Sequence, residues 1–201
     1  VCERFFFCCT LFLAQSPQDV ADQIVEASRY HLHRKAQELN TDVQELACTT
    51  AFVMAAPEKS AIRYLAGNLG DGLVAMRQKQ KVVPLIEPQR GEFANQTFFL
   101  TSKSAKERMR IVSGSLPANF IPGWLVCSDG ATNVLYDARD KEVAPAVLSF
   151  LEDIRVGQQS DVQMFLKDFI PQAIQPISED DCSIGVLQTM VRGSNIPRTA
   201  Q

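Results

Sequence analysis

Small or apolar positions recur at helical spacing from Ala21 through Ile24, Ser28, Leu32 and Ala36 to Leu39, with charged residues between them. That spacing predicts a two-sided helix running to about Asn40. Its start is marked by Ser16-Pro17-Gln18-Asp19, a cap residue, a proline at the first helical position and an acid that closes the box. The period then changes. Ala47 to Ala56 is apolar and rich in β-branched and aromatic residues, which predicts a buried strand. Tyr64 to Asn68 and Leu73 to Arg77 read as strands on either side of Gly70-Asp71-Gly72. Gln78 to Lys81 then turns the chain into Val82 to Ile86. An antiparallel meander is expected from this run. Phe98 to Thr101 and Arg110 to Leu116 are short strand candidates, and Gly123 to Cys127 is a buried strand that stops at Ser128-Asp129-Gly130.

Two helices should follow. Val143, Val147, Phe150, Leu151 and Ile154 mark the first, closed by Gly157; Val162, Phe165, Leu166 and Phe169 mark the second, stopped by Pro171. The acidic run Glu179-Asp180-Asp181 leads into a last strand, Cys182 to Leu187, and Arg192 to Gln201 is a polar tail without periodicity, expected to be flexible. Near the start, Phe5 to Ala14 is apolar but about half the length of a membrane span, so a buried helix is expected there and no membrane association. Strands adjoining in sequence, with helices before and after them, predict an α+β fold in which helices cover antiparallel sheets.

Composition narrows the function classes. The chain has 201 residues, 46% hydrophobic and 21% charged, which suits one globular domain and excludes a disordered one. Twenty Lys and Arg against 23 Asp and Glu give a net charge of -3, so no basic surplus is available for a phosphate backbone and no nucleic-acid partner is expected. The six cysteines form no C-x-x-C pair, and His31 and His33 lie far from most of them, which argues against zinc. Cys8, Cys9, Cys48 and Cys127 stand in apolar runs where a thiol behaves as a small hydrophobe. Reduced cysteines and a cytoplasmic location are the expectation. Met54 and Met76 read as core, and Lys103, Lys106, Arg108 and Arg110 as a solvated loop face, with steering of a phosphorylated substrate as the alternative.

Two acidic sites share one design. Asp129 stands where the strand Trp124 to Cys127 ends, with Gly130 allowing a sharp turn behind it; Asp180 and Asp181 stand just before the strand from Cys182. A carboxylate at the mouth of a buried strand is held by the core yet reaches solvent. Two such mouths on neighbouring strands would bring carboxylates together, and a hard cation would relieve their repulsion. On spacing alone, a structural turn at Asp129-Gly130 and a solvated loop at Asp180-Asp181 account for the same residues.

The ordered set Ala47-Cys48-Thr49-Thr50-Ala51, Gly70-Asp71-Gly72, Ser128-Asp129-Gly130 and Asp180-Asp181-Cys182-Ser183 resembles the metal-dependent PPM, or type 2C, serine/threonine protein phosphatases. Gly91-Glu92-Phe93-Ala94-Asn95-Gln96-Thr97 is similar to a segment of a divergent, mainly bacterial branch of that family. The resemblance implies a four-layer αββα sandwich of two antiparallel sheets flanked by helices, with the first strands missing from this chain. It implies a phosphatase-like domain over residues 1–190, followed by the tail 191–201. The implied activity is hydrolysis of phosphoserine or phosphothreonine in a phosphoprotein substrate by a water activated on two or more Mg²⁺ or Mn²⁺ ions. By the same resemblance Asp129 and Asp180 are metal ligands, and Asp71 helps to hold an additional, weaker cation or is a structural turn residue. Asp181 replaces the family's usual Asn. The family's metal-bridging Asp-Gly, its phosphate-contacting Arg and a general-acid His have no counterpart in the first 15 residues. No catalytic residue is therefore assigned, and this chain alone is expected to bind Mn²⁺ weakly, turn over poorly and aggregate. His31 and His33 are expected at the helix surface. The competing reading is a catalytically inactive, phosphatase-like regulatory or binding module.

Overall fold

The computed structural model describes residues 14–89, 97–156, 167–178 and 180–188. Helix α1 spans Pro17–Leu39. Ser16 caps it, its hydroxyl accepting the Asp19 backbone N–H at 3.1 Å. The helix ends where Asn40 takes a left-handed conformation with φ 51°, and the Asn40 N–H returns to the Ala36 and Gln37 carbonyls. A 3₁₀ turn at Val43–Leu46 leads into strand β1, Thr50–Glu58. Then come β2 (Ala61–Leu69), β3 (Leu73–Gln78) and β4 (Lys81–Ile86), a short helix α2 (Ala105–Arg108) and β5 (Arg110–Pro117). Strand β6 (Gly123–Cys127) runs directly into helix α3 (Asp129–Leu135). A small hairpin, β7 (Tyr136–Asp137) and β8 (Glu142–Val143), precedes helix α4 (Pro145–Val156). Residues 167–169 are helical, Ile170–Ile174 is a π-helical turn, and β9 is Ile184–Gln188.

Two antiparallel sheets result, ordered β1-β2-β5 and β4-β3-β6-β9. Side chains alternate across each strand, so each sheet has two apolar faces to cover. Between the sheets, Tyr64, Met76 and Trp124 pack with Val53, Ile62, Leu85 and Val112. Outside the first sheet, α1 sets Val20 against Ala56 and Leu65, and Ala21 and Val25 into a cluster with Leu69. Outside the second, α3 and α4 set Ala131, Leu135, Val147, Phe150, Leu151 and Ile154 against Leu73, Ala75, Leu125 and Cys127. Helix, sheet, sheet, helix is the four-layer αββα sandwich, an α+β fold.

Several expectations need correction. Gly70-Asp71-Gly72 does not close a hairpin, so there is no simple meander: β2 pairs with β1 and β5, β3 with β4 and β6, and the tripeptide carries the chain from one sheet to the other. Turn residues report that the chain bends, not which edge the next strand joins. Phe98 to Thr101 forms no strand; the Leu100 N–H reaches the Cys48 carbonyl at 2.9 Å, and Leu100 is buried in the α1 cluster. Asp129-Gly130 is the first turn of helix α3 rather than a sharp structural turn, with Ser128 as its N-cap in an extended conformation. Pro171 does not stop the chain's helical path, which continues through the π turn to Ile174. Leu39, at the end of the predicted apolar stripe, is 55% exposed. The expectations for Phe5 to Leu13, Gly91 to Gln96, Gly157, Val162 to Leu166 and Arg192 to Gln201 fall outside the described residues.

Candidate metal centre

One row of hydrogen-bonded partners crosses the second sheet, Leu73 opposite Cys127 and Cys127 opposite Ile184. Asp71 lies two residues before Leu73, Asp129 two residues after Cys127 and Asp180 four residues before Ile184. Because the three strands alternate in direction, all three acids leave the sheet at the same end. Antiparallel register thus joins residues far apart in sequence.

Their spacing is held by close backbone approach. A Cβ on Gly72 would stand 2.6 Å from the Cys127 carbonyl oxygen, so only glycine lets the crossover lie against the end of β6. A Cβ on Gly130 would stand 2.6 Å from the Asp181 carbonyl oxygen, which brings the first turn of α3 against the segment carrying Asp180. Ser128 stitches the same junction. Its N–H donates to the Ser183 carbonyl at 3.0 Å, and its hydroxyl accepts from the Ser183 N–H at 2.9 Å and donates to the Asp181 carbonyl at 3.3 Å.

One oxygen of each carboxylate is anchored. The Gly130 N–H donates to Asp129 Oδ1 at 2.9 Å, the Asp181 N–H to Asp180 Oδ1 at 2.8 Å, and the Thr97 hydroxyl to Asp71 Oδ2 at 2.8 Å. Among the described residues no Lys or Arg pairs with any of the three. Burial pushes the Asp129 carboxyl above its ordinary value, and the charges of Asp71 and Asp180 push it further, against the Gly130 N–H that favours the ionised form. The charges of Asp71 and Asp180 are therefore felt at Asp129.

Beside them a cleft of about 290 Å³ opens between the ends of the two sheets, lined by Thr50, Asn68, Gly72, Cys127, Ser128 and Ser183 among others. None of the three acids lines this cleft, which their neighbours Gly72 and Ser128 border, nor a larger hollow of about 520 Å³ between Asn133 and Pro145. Donor chemistry at the acid cluster is all oxygen, with unneutralised charge, which fits a hard divalent cation. Among the described residues no three of His, Cys, Asp and Glu are placed to hold a metal ion together. A Mg²⁺-like ion needs only one or two carboxylates and keeps several waters.

The remaining candidates behave as side chains of the scaffold. Cys48, Cys127 and Cys182 are free thiols, and burial pushes Cys127 up to about 11. His33 is exposed and His31 partly so on α1. Met76 is 3% exposed and Met54 packs in the α1-side core. Lys106 pairs with Glu26, and Arg108 lies 4.7 Å over the Phe98 ring, so the basic cluster is partly engaged locally. The sequence reading passed over Asn68, Gln89, Thr97 and Ser128 as separate contributors. The signal for Asn68 was a polar residue inside an apolar strand, two positions before Gly-Asp-Gly.

A family model described as protein phosphatase 2C matches residues 1–169. The serine/threonine-protein phosphatase 3 of Escherichia coli (strain K12) is 22% identical over 172 residues, which cover 83% of this chain and 65% of that relative. The chain thus spans just under two thirds of that relative's length. Among solved structures, the S. agalactiae serine/threonine phosphatase superposes with a TM-score of 0.52 at 15% identity, over 86% of this chain and 72% of that one. The phosphatase domain of SpoIIE from Bacillus subtilis aligns with a TM-score of 0.43 at 11% identity, over 90% and 76%. The sandwich, the order of its acidic motifs and the match over residues 1–169 lead to one conclusion: the chain belongs to the protein phosphatase 2C family.

Proposed function

We propose that the protein to which this chain belongs hydrolyses phosphoserine and phosphothreonine in protein substrates, with Mg²⁺ or Mn²⁺ as cofactor. One observation carries this reading: Asp71, Asp129 and Asp180 converge at the end of three neighbouring strands, and two of them raise the carboxyl of the third. Asp129 and Asp180 would hold the cation, and Asp71, one oxygen of which Thr97 already binds, would hold a further and weaker one. When bound, such cations supply an acidified water as nucleophile and neutralise charge on the phosphate. The chain's own contribution is positioning. The ends of the sheets fix the acids, Ser128 ties β6 to the Asp180 segment, and the cleft beside them leaves room for the phosphate ester.

No cysteine takes part in this chemistry. The test is hydrolysis of p-nitrophenyl phosphate and of a phosphothreonine peptide, by the 201-residue chain and by an N-terminally extended form. Turnover should require Mn²⁺, stop in excess EDTA, survive iodoacetamide and be greater in the extended form. Activity that persists in excess EDTA would contradict the metal-dependent reading.

A non-catalytic regulatory module is the second reading, and Asp181 is the observation that favours it. Asp181 brings a further carboxylate beside Asp180 where the family pattern has an amide. Restoring the amide with Asp181→Asn separates the two. A rise in Mn²⁺-dependent turnover favours the enzyme, and Mn²⁺ binding without turnover in either form favours the module.

A further inference from the structure

Asn68 is fully buried near the end of β2, in a stretch otherwise made of Leu65, Ala66, Gly67 and Leu69. Its side-chain amide donates two hydrogen bonds, to the Gly70 carbonyl at 3.2 Å and to the Gly72 carbonyl at 2.8 Å. These are the carbonyls on either side of Asp71. The Oδ1 atom of the same amide is buried and has no hydrogen-bond partner among the described residues.

That combination constrains the residue type. Two N–H donors of this reach come from a side-chain amide, whereas a Ser or Thr hydroxyl offers one and a carboxylate none. Turning the amide over would set its oxygen against two carbonyl oxygens, so the two carbonyls also fix its orientation. A bare buried acceptor is unfavourable, and an apolar side chain would avoid it. The donors accordingly have a use that an apolar residue lacks.

A second amide supports the same loop from the other side. Gln89 is 3% exposed; its Oε1 accepts the Gly70 N–H at 3.2 Å, its own N–H donates to the Gly70 carbonyl at 2.9 Å, and its Nε2 donates to the Arg108 carbonyl at 2.8 Å. Gly70 itself has φ +113°, a left-handed conformation that favours glycine and leaves the loop few ways to relax. The crossover is therefore gripped at Gly70 and Gly72, and Asp71 between them is held beside β6.

We infer that Asn68 is a positioning residue of the cation site, acting through Asp71 by tying down both carbonyls that flank it. The inference rests on the metal-centre reading given above. Outer-sphere partners of this kind change metal affinity by about 10- to 100-fold when removed. The test is direct Mn²⁺ titration followed by electron paramagnetic resonance, on wild type, Asn68→Ala, Asn68→Ser, Asp71→Asn and the double variant Asn68→Ala/Asp71→Asn.

Asn68→Ala should weaken Mn²⁺ binding at the weaker, Asp71-dependent site about tenfold, and Asn68→Ser, which keeps one donor, should fall between it and wild type. In the Asp71→Asn background the Asn68→Ala change should have little further effect, because its route of action is already removed. A merely structural role would give the same loss in both backgrounds, and that result would overturn the inference. So would wild-type affinity in Asn68→Ala. If Asn68→Ala does not fold, Asn68→Ser decides on the same comparison. Absence of Mn²⁺ binding by the wild-type chain would instead overturn the metal-centre reading, and this role with it.

Discussion

At Gly130 a single methyl group would stand 2.6 Å from the Asp181 carbonyl oxygen and 3.1 Å from Cys182 Sγ. In an ordinary helix, Gly to Ala stabilises by about 1 kcal/mol. Here the overlap falls on backbone, which has little freedom to yield, and overpacking costs about 1–3 kcal/mol. Gly130→Ala is therefore expected to lower the urea midpoint; an unchanged midpoint would show that the Asp181 segment moves aside freely. The carboxylate next to it is governed by charge. The folded chain holds the Asp129 proton more tightly than the unfolded chain, whose ordinary value is 3.8. Protonation of Asp129 therefore stabilises the fold at pH below that value, and this contribution is lost as pH rises through the folded value. At neutral pH without metal the ionised group works against folding. Asp129→Asn should raise the metal-free Tm at pH 7, and the gain should shrink as pH falls towards 4. Circular dichroism melts at the two pH values check this, and a gain that does not depend on pH would contradict it.

Among the elements, α4 shows most directly how a sequence pattern becomes packing. Val147, Phe150, Leu151 and Ile154 are all buried, and they press on the outer face of the sheet that carries the three acids. Phe150 is 2% exposed and stacks on Phe169 with ring centroids 5.4 Å apart. Phe150→Ala would leave a cavity between helix and sheet, and the expected cost is about 3–5 kcal/mol. Chemical denaturation measures it; a loss below about 1 kcal/mol would show that α4 contributes little to holding the sheet. By contrast α3, seven residues long, follows β6 at once and has no predicted stripe of its own. Its place depends on Ala131 and Leu135 joining the same core as α4.

For the molecule as a whole, a cation held at the candidate centre would couple to folding. Three acids with no cationic partner among the described residues repel one another in the empty fold, and an ion that binds only the folded state stabilises it by mass action. Millimolar Mn²⁺ should raise the Tm of the wild-type chain and should not raise that of Asp129→Asn. An equal rise in both would place the cation elsewhere. Across the described residues no helix is long and apolar enough to cross a membrane.

The fold was legible in the sequence wherever one element decides its own pattern. Period and caps determined α1 from Ser16 to Asn40, the apolar β-branched runs marked β1 and β6, and the 3.6-residue stripe marked α4. Asp71, Asp129 and Asp180 stood out in the sequence as acids at strand ends, the first two beside a glycine, because such an arrangement is local. Only the tertiary structure decided that Gly70-Asp71-Gly72 passes between sheets and that Asp71, Asp129 and Asp180 leave the second sheet at one end. The reason is the range of the forces involved. Periodicity and capping act over a few residues, whereas strand register, carbonyl contacts across a junction and the field of one carboxylate on another join positions more than fifty residues apart. No local pattern encodes which of those distant partners will meet.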